Sequence, residues 1–113
     1  MNARQRLGRD AEEAAAAYLT SLGLRILGRN VRGPSGEIDI IARDGETIVF
    51  VEVKARRSLA CGPALDAVDL RKRRRLRAAA ADYLQFAPPY ARARFDVLAI
   101  DGASMRLHRA AFA

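Results

Sequence analysis

The stretch "EIDIIARDGETIVFVEVK", Glu37 to Lys54, decides the fold. Two runs rich in isoleucine and valine, "EIDIIAR" and "TIVFVEVK", flank Asp44-Gly45, a dipeptide suited to the positive φ angles of a tight type I′ hairpin turn. Both runs carry apolar residues at odd and even positions, so the sheet they enter is expected to be covered on both faces. Yet Asp39 and Glu52 lie inside these β-branched runs, where a charge without a partner is costly.

Before this hairpin, residues 3–22 place Leu7, Ala11, Ala14, Ala15, Tyr18, Leu19 and Leu22 at helical spacing, and Gly23 stands as a stop. Leu24, Ile26, Leu27 and Val31 suggest a short strand, followed by the turn chemistry of "RGPSG", Arg32 to Gly36. Beyond Lys54, "ARRSLACGPA" has no periodicity. A helix is then expected from about Leu65 to Phe86, with Asp66 and Asp69 favouring its N-terminal end and Leu65, Val68, Leu76, Ala80, Tyr83 and Leu84 on its apolar face. Pro88-Pro89 ends it, and "RFDVLAID" and "MRLHRAA", around Gly102, read as two closing strands, the last short. The expected order α-β-β-β-α-β-β gives an α/β sandwich, one domain over residues 1–113.

The composition agrees with one core: 113 residues, 50% hydrophobic and 29% charged. No apolar run reaches the length of a membrane span, and "MNARQRLGRDAEE" lacks the apolar centre of a secretion signal, so a cytoplasmic protein is expected. With only Cys61 and His108, disulfides and cysteine/histidine zinc sites are excluded. Twenty Lys and Arg against 13 Asp and Glu, a net charge of +7, point to a polyanionic partner, most often nucleic acid.

If the turn centres on Asp44-Gly45, Arg43 faces Glu46, and pairing sets Ile41 opposite Ile48, Asp39 opposite Phe50 and Glu37 opposite Glu52. Alternation then brings Glu37, Asp39, Glu52 and Lys54 out on one face. Asp39 and Glu52 become diagonal neighbours about 7–8 Å apart, close enough to share a cation. Oxygen ligands alone favour a hard ion, Mg²⁺, with Mn²⁺ as substitute. Lys54 beside such an ion would neutralise charge developing on a phosphorane or help position an attacking water. Taken singly, Glu37, Glu52 and Lys54 also read as ordinary strand-end charges.

Asp39, a hairpin and then Glu52-Val53-Lys54 resembles the D…(D/E)xK signature of restriction-endonuclease-like nucleases. The ordered set "GEIDIIARDG", "VFVEVKAR", the basic segment with Lys72, "AADYL" and "RFDVLAI" resembles the YraN family of small bacterial proteins over nearly the whole chain. The resemblance implies a restriction-endonuclease-like core, a mixed sheet flanked by helices, and a Mg²⁺-dependent nuclease. It makes Asp39 and Glu52 metal ligands, the Val53 carbonyl a third, Lys54 the catalytic lysine and Glu37 a supporting acid. Glu12, in "EEAAAAYL", would be an additional acid from the first helix; its other reading is a solvated helix charge. Ile38 stands where the older signature has proline, and Cys61 where the family more often has an aromatic residue.

"LRKRRRLR", Leu70 to Arg77, packs six cations into eight positions. Lys72, Arg73 and Arg75, with Arg71 a further candidate, are expected to fan over the face opposite Leu76 and meet phosphates. Arg56 and Arg57 are placed to hold a substrate phosphate near the metal. Phe50, Phe95 and Tyr83 read as core, His108 as a strand-surface residue, and Asp96 as a partner of Arg94 or of a helix residue. The leading expectation is an endonuclease acting on DNA, branched or damaged DNA included. Such cutters commonly work as a homodimer, though no segment marks an interface. The alternatives are a non-catalytic nucleic-acid-binding accessory protein on a nuclease fold and an assembly protein.

Overall fold

A computed structural model describes residues 3–56 and 69–112. The elements are α1 (Ala3–Ser21), β1 (Arg25–Gly33), β2 (Gly36–Asp44), β3 (Thr47–Arg56), α2 (Leu70–Leu84), β4 (Arg92–Asp101) and β5 (Ser104–Phe112), in the expected order. The strands form one mixed five-stranded sheet, β1-β2-β3-β4-β5. β3 and β4 run parallel, and the remaining neighbours are antiparallel hairpins. Among the described residues no helix is long and apolar enough to cross a membrane.

Both faces of the sheet are covered, as the sequence pattern requires. Ile40, Ala42, Val49, Val51 and Leu98 pack with Ala15, Leu19 and Leu24 on the α1 side. Ile41, Ile48, Phe50 and Val97 pack with Leu76, Ala79 and Ala80 on the α2 side. Phe50 meets Tyr83 edge-on with ring centroids 5.9 Å apart and Phe95 at 5.5 Å, which seats these aromatics in the core. On α1, Ala15 and Leu19 are fully buried, whereas Ala14 and Leu22 remain exposed.

The helix ends follow local chemistry. α1 stops where Gly23 takes φ +92: the Gly23 amide donates to the Thr20 carbonyl and the Leu24 amide to the Leu19 carbonyl, the Schellman pattern. α2 begins at Leu70, and Leu65, Asp66 and Val68, expected in its first turns, lie outside the described residues. Asp69 there adopts extended backbone as N-cap and accepts the Lys72 amide at 2.9 Å, a bond that holds its carboxyl below the usual range.

The hairpin turn differs from expectation by one residue. Asp44 pairs with Thr47, so the two-residue loop is Gly45-Glu46, with only Gly45 at positive φ, 60°. Glycine at the first central position is the type II′ preference rather than type I′. The β4–β5 hairpin repeats it: Asp101 pairs with Ser104 and Gly102 has φ 60°. Asp44, freed from the turn, receives Arg94 Nη1 at 2.8 Å.

Asp96 is fully buried and accepts Arg94 Nε at 3.1 Å and the Ala110 amide at 2.9 Å, so its expected pairing with Arg94 is present. The register slips here, from Phe95↔Phe112 to Val97↔His108, leaving Asp96 opposite three β5 residues. This bulge, with Ala110 at φ 49°, lets β5 run to Phe112, longer than the short strand expected.

Candidate active site

The shift of the turn moves the pairing of β2 and β3 by two residues, to Ile40↔Val51 and Ile41↔Phe50. A shift of two preserves the faces. Carried one step further, that register would set Asp39 opposite Glu52 rather than diagonal to it. The ladder stops at Ile40↔Val51, however, and beyond it the Asp39 side chain takes over: Oδ2 accepts the Val53 amide at 2.9 Å. Strict alternation also fails at this point, because Ile38 packs with Ile41 in the α2-side cluster while Ile40 packs toward α1. Asp39 thus sits where the two strands part, within the electrostatic reach of Lys72 on α2 and Glu12 on α1.

Glu52 is 4% exposed. Its Oε1 lies 3.5 Å from Lys54 Nζ and 3.2 Å from Lys72 Nζ. Two ammonium groups on one buried carboxylate oxygen offset much of the cost of burying its charge. Asp39 is raised from 3.8 to about 7, first by burial and then by the charge of Glu52; the Val53 amide and Lys72 pull the other way. Near neutral pH the lysine-bound Glu52 therefore stands beside an Asp39 carboxyl that is close to half protonated.

The remaining expected residues divide. Glu12 is half-buried and accepts Asn30 Nδ2 at 3.0 Å, with Asn30 held at φ 50°. It is therefore oriented rather than merely solvated. Glu37 is instead engaged by β1: directly opposite Arg32 in the β1–β2 register, its Oε2 accepts Arg32 Nε at 3.2 Å. Arg56 belongs to β3, but its side chain, with Arg57 and Cys61, lies outside the described residues.

The basic helix is placed differently from the sequence expectation. Lys72 and Arg73 do not lie opposite Leu76; they are half-buried on the sheet side, Lys72 on Glu52 and the Arg73 guanidinium 5.4 Å from the centre of the Phe112 ring. Lys72, Leu76 and Ala80 follow one another at i, i+4 spacing, a signal that could have set Lys72 on the buried stripe. Arg71, Arg74, Arg75 and Arg77 are exposed. Asn30 was missed altogether, because nothing in "GRNVRG" distinguishes a Glu12 partner from a strand polar residue.

Among the described residues no group of three or more His, Cys, Asp and Glu side chains is disposed to hold a metal ion. Asp39 and Glu52 supply two hard oxygen donors, the number with which Mg²⁺ is often held while it keeps several waters. The donor set fits that ion and fits a soft metal poorly.

Residues 11–100 match the family model described as "Uncharacterised protein family UPF0102". A UPF0102 protein of Halorhodospira halophila is 50% identical over 109 residues, covering 96% of this chain and 88% of its own. One of Shewanella loihica is 50% identical over 95 residues, with coverages of 84% and 83%. One of Acidothermus cellulolyticus is 43% identical over 127 residues, with coverages of 98% and 96%. With the family model spanning the hairpin, α2 and most of α1 and β4, the chain belongs to UPF0102, the YraN family.

Proposed function

We propose that the protein is a Mg²⁺-dependent endonuclease that hydrolyses phosphodiester bonds in DNA. The observation that carries this reading is the meeting of Asp39, Glu52 and Lys54 where β2 and β3 part, with the Asp39 carboxylate fixed by the Val53 amide at 2.9 Å. Asp39 and Glu52, with the Val53 carbonyl, would hold the ion. Bound there, Mg²⁺ would supply an acidified water and polarise the phosphoryl oxygens. Asp39 must lose its proton to serve as a ligand, and its position near pH 7 makes that loss easy under neutral conditions. Lys54, whose Nζ lies 3.5 Å from Glu52 Oε1, would face the phosphate and stabilise the charge that develops on it. Glu12, oriented by Asn30, adds negative charge beside Asp39 and favours cation entry.

The test is cleavage of supercoiled, linear and branched DNA by the full chain with Mg²⁺ or Mn²⁺. Cleavage that is lost in Asp39→Asn and Glu52→Gln is the expected result. Absence of cleavage on every form, or cleavage unchanged in both variants, overturns the reading. A second reading, a non-catalytic nucleic-acid-binding protein, draws on the two lysines that already balance Glu52 without any ion. It predicts salt-sensitive DNA binding that survives loss of Asp39 and is accompanied by no cleavage.

A further inference from the structure

A cleft of about 220 Å³ opens between the β1–β2 turn and the start of α2, lined by Ser35, Gly36, Glu37, Lys72, Arg75 and Leu76. The turn that forms one wall is tied to the helix that forms the other: Asp82 Oδ2 accepts the Ser35 amide at 2.9 Å. Gly33 packs so closely there that a Cβ would lie 3.2 Å from the same oxygen. Within the lining two cations, Lys72 and Arg75, face one carboxylate, Glu37, which Arg32 already neutralises. Lys72 also reaches Glu52, so the cleft and the carboxylate site share a side chain.

We propose that this cleft is a subsite for a backbone phosphate of a nucleic acid, flanking the phosphodiester held at Asp39 and Glu52. A walled recess with surplus positive charge favours a compact anion, and arginine offers a phosphate two parallel N–H donors. The identity of the polyanion rests on the phosphodiesterase reading. Of the six cations between Leu70 and Arg77, Arg75 at the cleft carries this contact with Lys72, whereas Arg74 is not part of the lining.

The experiment is fluorescence anisotropy of the full chain with a labelled DNA duplex of about 20 base pairs, in EDTA, over a series of salt concentrations. One lost phosphate contact lowers the slope of log K against log salt by about 0.9. Arg75→Ala is expected to show that drop and several-fold weaker binding at low salt, while Arg74→Ala shows less than half of either. Arg75 is exposed, so its replacement leaves the core untouched. Equal losses in the two variants would mean a diffuse basic face and would overturn the subsite, as would an unchanged slope in Arg75→Ala. The two readings fail separately. If the slope pattern holds while the wild type cleaves nothing with Mg²⁺ or Mn²⁺, the subsite stands and hydrolysis falls; if cleavage occurs and Arg75→Ala keeps the full slope, the reverse is true.

Discussion

Asp39→Asn should stabilise the protein, and only as the pH rises above the acidic range. Burial first, and the Glu52 charge second, raise Asp39 from 3.8 to about 7. Between about pH 4 and 7 the folded chain keeps a proton that the unfolded chain has given up, so unfolding releases it. Stability therefore falls as pH rises through this window, with a slope approaching one proton per molecule. Below the window both states are protonated, and above it neither is. If the whole shift is expressed, the difference between the two limits is roughly 4 kcal/mol. Asparagine keeps an oxygen for the Val53 amide but has no proton to lose. In urea melts, the stability of Asp39→Asn relative to wild type should thus change little near pH 4 and rise by about 2–4 kcal/mol by pH 8.5. Groups that titrate alike in both proteins cancel in this comparison. A difference that stays flat with pH would refute the reasoning, since it would mean that the Val53 amide and Lys72 suffice to keep Asp39 ionised. On the proposed function, Mg²⁺ at pH 8.5 should remove most of this difference, stabilising wild type by about 2.7 kcal/mol at a hundredfold excess over Kd. Asp39→Asn should not respond.

Glu52→Gln leaves two lysines facing a buried neutral amide and should cost about 3 kcal/mol in urea unfolding while abolishing cleavage. Asn30→Gly keeps a residue suited to φ 50° and should change stability by no more than about 1 kcal/mol. It removes the donor to Glu12, so cleavage should fall several-fold at fixed Mg²⁺; an unchanged rate would return Glu12 to the role of a solvated charge. Asp96→Asn weakens the charged bonds of Arg94 and should cost about 2–4 kcal/mol by thermal or urea melts. Cleavage per folded molecule should be unaffected, because none of the Asp96 partners touches Asp39 or Glu52.

The element order was legible because each element carries a strong local pattern: an alanine-rich periodic helix, two β-branched runs and Asp-Gly turns. The turn itself was misplaced by one residue because Asp-Gly fits more than one hairpin, and the choice was settled by a contact remote in sequence, Asp44 with Arg94. The parting of β2 and β3 was not legible for a different reason. Period two describes a continuous ladder, and the Asp39 carboxylate replaces the ladder at the Val53 amide. Lys72 was misread because a run of six like charges hides which of them shares the stripe of Leu76 and Ala80.

Core packing also explains why the turn could shift without dispersing the carboxylates. A slip of one residue would exchange the faces of β3, sending Ile48 and Phe50 toward α1 and Val49 and Val51 toward α2. Because both faces are covered, a layer exchange would mispack these four side chains rather than expose them, at about 1–3 kcal/mol for each ill-fitting side chain. A slip of two leaves both layers intact and changes only which residue Asp39 faces. The apolar residues around Glu52 therefore do more than form a strand: the alternation that buries them also holds Glu52 and Lys54 toward α2, and with it sets where a cation or phosphate can be met.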